Sequence, residues 1–251
     1  NHPDSKSCVF AFPNEETICH VGYTSYGSRS FYRSQQLHRV AQSQSESPLP
    51  WLAIITRYVN GQKHNDNRQV FYRLHIFTIK FEQNDAPTLI PKYSKSLNVE
   101  LISAIAISLQ SQEKIDVFVG YCRKLIVYTI NLRSKEMLKN ASLSNLFTEI
   151  KDIVVKDDDP NASIKGYTVY VADNRRSVTL LKLVRNQLTP LMEEGIPRSI
   201  SCSLIVRDIP SKNKIFKEIW AGDIMGNIFS FQNSSYSVYV PNGEPANKVS
   251  S

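Results

Sequence analysis

A strand unit that recurs about every fifty residues is the feature that most constrains the fold of this 251-residue chain. Three segments share an apolar triplet, a small residue, a short polar turn and a second apolar strand. They are Val117–Ile130, Val169–Leu183 and Ile219–Phe231. The small residues lie 52 and then 50 residues apart, at Gly120, Ala172 and Gly222. Because β-branched and aromatic residues dominate both arms, each segment is predicted to be a β-hairpin.

The turns of these hairpins carry their own signature. Asp173 and Asp223 follow the small residue at the same phase of the repeat. An Asp in this place can accept hydrogen bonds from backbone N–H groups two or three residues on, which tightens a turn. A glycine can take a positive φ. We therefore predict structural roles for five turn residues: Gly120, Asp173, Gly222, Asp223 and Gly226.

A further apolar strand precedes each hairpin, and a weaker one follows it. The preceding strands are Leu101–Leu109, Ile150–Val155 and Ile200–Val206, and the following ones are Glu136–Leu138, Gln187–Leu191 and Tyr236–Val240. Four antiparallel strands per radial repeat are typical of a β-propeller blade. No segment has a sustained 3.6-residue stripe with caps, and only Ser142–Phe147 is compatible with a turn or two of helix. The predicted fold is all-β, a partial propeller ring of four-stranded antiparallel blades whose other blades belong to a longer chain.

A fourth copy is predicted upstream. Trp51–Tyr58 and Gln69–Lys80 are its two arms, and the polar stretch Val59–Arg68 between them is a long exposed loop. Such a loop can carry a partner contact, although a tolerated solvated loop is the favoured reading. We predict strand pieces and a flexible linker over 1–50, about four blades over 51–233, and an outer strand with a frayed tail over 234–251.

Composition excludes several classes of protein. The content of 41% hydrophobic and 21% charged residues is that of a globular chain, and the net charge of +7 permits an acidic partner. No apolar run approaches the roughly 18 residues of a membrane span, so no membrane partner is expected. The four cysteines and five histidines show no metal-ligand spacing, and Cys122 and Cys202 are predicted to be core residues. The chain begins at Asn1 without a leader, which suggests a processed chain or a piece of a longer one, and its three glycosylation sequons are read as chance matches.

Three motifs in order carry a family resemblance. Phe118–Tyr128 resembles a Gly-x-x-Lys-Leu-x-(Val/Leu)-Tyr hairpin, Gly166–Leu183 resembles a blade with an Ala-Asp turn, and Trp220–Phe231 resembles the blade that follows it. The family is that of the large three-propeller scaffolds: the large damaged-DNA-binding protein subunit, the large subunit of the cleavage and polyadenylation specificity factor, and the propeller subunit of splicing factor 3b. The resemblance spans about Trp51 to Phe231 and points to the C-terminal propeller region. The element at 195–198 lacks the expected Trp, a divergence that fits a yeast-type methyl-methanesulfonate-sensitivity cullin adaptor best.

The resemblance implies a non-catalytic nuclear scaffold without cofactors. The implied partners are a cullin or a substrate receptor, in a ubiquitin ligase that acts in DNA damage repair or replication. The alternative branch implies factors of pre-mRNA 3′-end processing or splicing, with direct contact to RNA. Candidate partner-binding residues are the basic ones of the hairpin turns and of the insertion: Lys63, Arg68, Arg123, Lys124, Arg175 and Arg176.

Two other interpretations compete with the scaffold. An enzyme on a propeller would place carboxylates near one channel, and Asp173 and Asp223 share a phase, but turn closure is the favoured role for both. No catalytic residue and no metal ligand is therefore predicted. Direct nucleic-acid binding is the second rival, which the modest positive charge supports only weakly.

Overall fold

The computed structural model describes residue 12 and residues 16–24, 50–60, 69–80, 87–99, 101–111, 113–157, 166–175, 177–193, 204–210, 215–232, 235–239 and 245–246. Every regular element within these ranges is a β-strand, and no helix occurs in them. No helix of the described residues is therefore long and apolar enough to cross a membrane.

The strands follow one another along the chain with short connections in the later repeats. The first eight are β1 (Thr17–Thr24), β2 (Trp51–Asn60), β3 (Gln69–Lys80), β4 (Thr88–Leu97), β5 (Ile102–Ser111), β6 (Lys114–Tyr121), β7 (Lys124–Asn131) and β8 (Glu136–Ser144). The others are β9 (Ile150–Asp157), β10 (Gly166–Asp173), β11 (Ser177–Val184), β12 (Gln187–Glu193), β13 (Ile205–Pro210), β14 (Ile215–Gly222), β15 (Ile228–Gln232), β16 (Ser235–Tyr239) and β17 (Pro245–Ala246).

These strands form four antiparallel sheets, each a simple meander in chain order. The first sheet is β1–β4, the second β5–β8, the third β9–β12 and the fourth β13–β17. The three predicted hairpins are the pairs β6–β7, β10–β11 and β14–β15, which confirms the all-β prediction. The antiparallel unit has four strands in the first three sheets and five in the fourth. The arrangement of the sheets as propeller blades stays a prediction.

The strand at Thr17–Thr24 lies in the stretch 1–50, where strand pieces were predicted, and it pairs with β2 in the first sheet. Two local expectations were wrong. Ser142–Ser144 continue strand β8 instead of forming a helical turn. Cys122 is a half-buried turn residue with a φ of 48°, because the apolar runs on either side of it are the two arms of a hairpin. Cys202 lies outside the described residues.

The chain divides into two compact units. The first contains Asn1–Glu100, Ile105–Asp116 and Ile130–Met137. One face of its first sheet is buried, with Ala53, Ile55, Leu74 and Ile76 all at 0% exposure. Gly22 lies on that face against β5, where an added Cβ would be 3.2 Å from the carbonyl oxygen of Ile105.

The second unit contains Leu101–Ala104, Val117–Thr129 and Leu138–Ser251. Gly120 packs on the third sheet so closely that an added Cβ would lie 2.8 Å from Cγ2 of Ile150. A core cluster joins the third and fourth sheets and consists of Tyr170, Ala172, Val178, Leu204, Val206, Ile219, Ala221 and Phe229. Within this unit, the small residue of the repeat therefore contacts the following sheet in two cases. Gly120 of the second sheet contacts the third sheet, and Ala172 of the third sheet contacts the fourth.

Candidate functional site

A cleft of about 550 Å³ opens beside strand β4 in the first unit. Its lining comes from β3, from β4 and from the turn that precedes β8: Arg73, His75, Phe77, Pro91, Lys92, Tyr93, Ser94, Lys95 and Lys135. Four of these side chains are cationic and none is acidic. The cleft is therefore suited to an anionic ligand.

A buried polar network lies beneath the cleft and centres on Glu16. The Glu16 carboxylate, whose side chain is 3% exposed, accepts a hydrogen bond from Arg73 at 2.6 Å. It accepts a second from the Thr56 hydroxyl at 2.7 Å and contacts His75 Nε2 at 3.1 Å. Since a buried carboxylate is costly without partners, these contacts explain how Glu16 is accommodated.

His75 links this network to the cleft. Its Nε2 lies 3.1 Å from Glu16 Oε2, and its Nδ1 lies 3.2 Å from the hydroxyl of Ser94. Burial lowers the pKa of His75, and the Glu16 carboxylate opposes that shift only in part. In the neutral ring that results, Nε2–H donates to Glu16 and Nδ1 accepts from Ser94, which satisfies both nitrogens.

Aromatic rings fix the His75 ring in place. Phe12 meets it edge-on with ring centroids 5.0 Å apart, and Phe77 stacks beside it at 6.2 Å. The Arg73 guanidinium lies 5.0 Å from the centroid of the Tyr58 ring, an attractive cation–π distance. The floor of the cleft is therefore rigid and already internally paired.

The outer rim of the cleft consists of three lysines. Lys92 is the extra residue of a β-bulge, since the register shifts between the pairs Ile76–Tyr93 and Phe77–Pro91. Lys135 Nζ donates a hydrogen bond to the carbonyl oxygen of Lys92. Neither Lys92 nor Lys95 forms an ion pair with any residue that the structure describes.

The turn that carries Lys135 is unusual. Asn131 Oδ1 accepts hydrogen bonds from the N–H groups of Arg133 and Ser134, at 2.9 and 3.1 Å. Lys135 follows with a φ of 58°, a left-handed conformation that is strained for a side chain of this size. The turn therefore places a lysine where glycine would cost less.

The order Ser94–His75–Glu16 is that of a hydrolase relay, and its environment argues against that chemistry. Arg73 pairs with Glu16 at 2.6 Å and so neutralises the carboxylate that would stabilise a protonated ring. The network is better understood as structural support for the cleft.

The basic residues predicted from the sequence lie elsewhere. Arg123 and Arg175 are exposed in the β6–β7 and β10–β11 turns, and Lys124 is half-buried at the start of β7. None of these three side chains forms an ion pair within the described part of the chain. Lys63, Arg68 and Arg176 lie outside the described residues, so their role stays a prediction.

The predicted turn residues have distinct surroundings. Asp173 is buried and accepts the N–H of Arg175 at 2.8 Å and the N–H groups of Thr148 and Glu149 at 2.6 and 3.0 Å. Asp223 accepts the N–H of Met225 and that of Asn227, both at 2.9 Å.

The three glycines predicted to have structural roles differ in their surroundings. Gly226 has a φ of 81° with open space around it. Gly120 is buried, and Gly222 ends strand β14. The carboxylates of Asp173 and Asp223 both accept hydrogen bonds from nearby backbone N–H groups.

Sequence reasoning missed every residue of the cleft. Strand β4 carries two lysines and no acidic residue, but Pro91 made it a poor candidate for a strand. Glu16 and Lys135 are far from β4 in sequence, and no local pattern joins them. The signal available was the combination of proline and lysine, which is typical of a protected sheet edge.

The fold and the cleft together define an all-β protein of four antiparallel sheets with a basic site at one sheet edge. No known family pattern matches the chain, and no curated protein matches it in sequence.

Proposed function

We propose that this chain is a non-catalytic scaffold of a nuclear multiprotein complex, built from propeller blades that form part of a ring. Within that class, we propose a cullin-type ubiquitin ligase adaptor that acts in DNA damage repair or replication. The proposal combines the resemblance of three ordered motifs with the way in which sheets pack in the second unit.

The repeated contact beneath the small residue is the observation that carries this proposal. Phe118 and Gly120 of the second sheet lie against the third sheet, and the Phe118 ring meets that of Tyr167 at 5.7 Å. At the same phase of the repeat, Tyr170 and Ala172 of the third sheet lie in the cluster shared with the fourth. In both sheets, an aromatic residue and a small residue at the same phase of the repeat thus contact the sheet that follows. Neighbouring blades of a propeller pack in this way.

The fourth sheet has the same pair on a face that is open. Trp220 and Gly222 share that face with Ile205 and Ile228, according to the register of β13, β14 and β15. Ile205 is 63% exposed and Ile228 is 54% exposed. We infer that a further sheet of the same kind covers this face in the assembled protein.

The experiment uses a tagged full-length protein in cells, intact or lacking this region, with its partners identified after purification. Loss of a cullin complex upon deletion supports the adaptor, and loss of an RNA 3′-processing complex moves the protein to the other branch. A deletion that removes neither complex contradicts the scaffold role of this region. The double variant Ile205→Asp/Ile228→Asp should lose the partners as the deletion does, because it places two charges on the face that we infer a further sheet to cover.

An RNA-processing subunit is the second candidate, and the basic cleft is the observation that favours it. Its three lysine ammoniums would contact phosphates. A mobility shift with single-stranded RNA at increasing salt tests it, since steep salt dependence follows from phosphate contacts. Absence of binding at low salt excludes this candidate.

A further inference from the structure

Strand β4 is the edge of the first sheet. Among the strands that the structure describes, the order is β1-β2-β3-β4, so β4 pairs on one side only, with β3. Residues Ser94, Lys95 and Ser96 are exposed along it. An edge strand of this kind presents backbone N–H and C=O groups to which an extended segment can pair.

The charge beside that edge has one sign. Arg73 is neutralised by Glu16, and His75 is neutral, so the three lysine ammoniums are the charge that remains in the lining. Within the described residues, no acidic side chain lines the cleft, and Lys92 and Lys95 form no ion pair. A segment that pairs with β4 therefore binds most tightly if it carries negative charge.

Lys135 occupies the position of such a segment. Its ammonium donates to the carbonyl oxygen of Lys92, as the backbone N–H of an added strand would. The left-handed φ of 58° at Lys135 places backbone strain in the turn that carries this ammonium. A bound segment can take over the carbonyl and leave the ammonium free to pair with an acidic side chain.

The aromatic residues of the cleft favour a peptide over a nucleic acid. Phe77 is 1% exposed and Tyr93 is 7% exposed, so neither offers a ring face on which a base could stack. The cations also lie along one strand edge and one turn. We propose that this cleft binds an extended acidic peptide segment of a partner protein, which adds to β4 as a strand.

This proposal deepens the scaffold function and rests on it, because the ligand is a segment of another protein. Its test uses the purified full chain and a fluorescent peptide of about eight residues that alternates Glu and Val, the length of an ordinary strand. Fluorescence anisotropy measures binding. Two control peptides have Lys in place of Glu, or the same acidic charge with Pro in place of alternate Val.

We expect saturable binding of the Glu peptide and none of the Lys peptide. The Pro peptide should bind at least about tenfold more weakly, because proline cannot donate to a ladder. The double variant Lys92→Gln/Lys95→Gln should also weaken binding about tenfold through lost charge-assisted contacts. The variant Lys139→Gln, which changes an exposed lysine of β8, is the matched control and should bind as the natural protein does.

Lys135→Gly separates binding from folding. Glycine suits the left-handed φ, so thermal stability should rise slightly while peptide affinity falls. The proposal is overturned if the Glu peptide fails to bind, if the Pro peptide binds equally well, or if the lysine variants bind unchanged. Equal binding of a single-stranded RNA of the same charge also overturns it. None of these outcomes depends on the cellular purification, so the scaffold role stands or falls separately.

Discussion

Asp173 accepts hydrogen bonds from the backbone of its own turn and from the backbone that precedes the third sheet. It was predicted to close its own hairpin, and it also receives the N–H groups of Thr148 and Glu149 at the start of the third sheet. Asp223, at the same phase of the repeat, accepts hydrogen bonds from the N–H groups of Met225 and Asn227 and from the Asn227 side-chain amide.

We predict that Asp173→Ala lowers the free energy of unfolding by about 3 kcal/mol, because buried N–H groups lose a charged acceptor. Asp223→Ala should lower it by about 1 kcal/mol, since water can replace the carboxylate at that partly exposed turn. Urea denaturation of both variants measures the difference. Equal losses would show that Asp173 acts only through its own turn.

His75 predicts a pH dependence of stability. Burial lowers its pKa below the ordinary value of 6.5, so the unfolded chain binds a proton more readily than the folded one. The unfolded state therefore gains stability as the pH falls below 6.5 towards the folded pKa, and stability of the fold is lost in that window.

The matching variant is His75→Gln, which hydrogen-bonds without titrating in that window. We expect the melting temperature of the natural protein to fall more steeply between pH 6.5 and more acidic values than that of the variant. Parallel curves for the two proteins would contradict a neutral, buried His75.

At the level of elements, Gly120 sets how closely the second and third sheets approach. A Cβ there would meet Ile150 Cγ2 at 2.8 Å, Ile153 Cδ1 at 3.2 Å and Ala104 Cβ at 3.3 Å. The first distance is shorter than packed carbon atoms tolerate, so the sheets would have to separate.

We predict that Gly120→Ala destabilises the protein by about 1–3 kcal/mol through overpacking. Gly226→Asn is the control, since that glycine has a φ of 81° and no atom near a built Cβ. Asn tolerates the left-handed region, so its cost should be below about 1 kcal/mol. Chemical denaturation compares the two, and a neutral Gly120→Ala variant would disprove the close contact.

The elements that could be predicted are those with strong apolar signals on both arms. The three hairpins and the pair β2–β3 follow from β-branched and aromatic runs that turn residues separate. Strand β4 could not be found in this way because Pro91 interrupts a segment of mixed apolar and polar residues, and an edge strand tolerates such a sequence. The membership of β1 in the first sheet depends on pairing across a long connection, which no local pattern encodes.

The cleft is assembled from segments that are distant in sequence, so its residues could not be predicted from local patterns. Glu16, His75, Ser94 and Lys135 come from four separate segments, and each is unremarkable in its own surroundings. The basic hairpin turns were visible because their residues are neighbours in sequence. The cleft differs from these turns because its residues come together only through pairing between distant segments in the folded chain.

For the whole molecule, a net charge of +7 predicts how it meets nucleic acids. A scaffold whose charge is not arranged for phosphate contacts should bind RNA only weakly, even at low salt. The mobility shift at two salt concentrations measures this. Tight binding at low salt that falls steeply as the salt concentration rises would favour the RNA-processing branch.

The open side of the fourth sheet has a practical consequence for anyone who handles this polypeptide alone. Ile205 and Ile228 would be in water, and so would Ile224 and Met225, which are 63% and 79% exposed at the hairpin tip. Copies of the isolated chain should therefore stick to one another as the concentration rises, and light scattering should show growing particles. Adding the polypeptide that covers this face should restore a single species of uniform size. The size distribution measured by light scattering therefore identifies the protein that covers the fourth sheet.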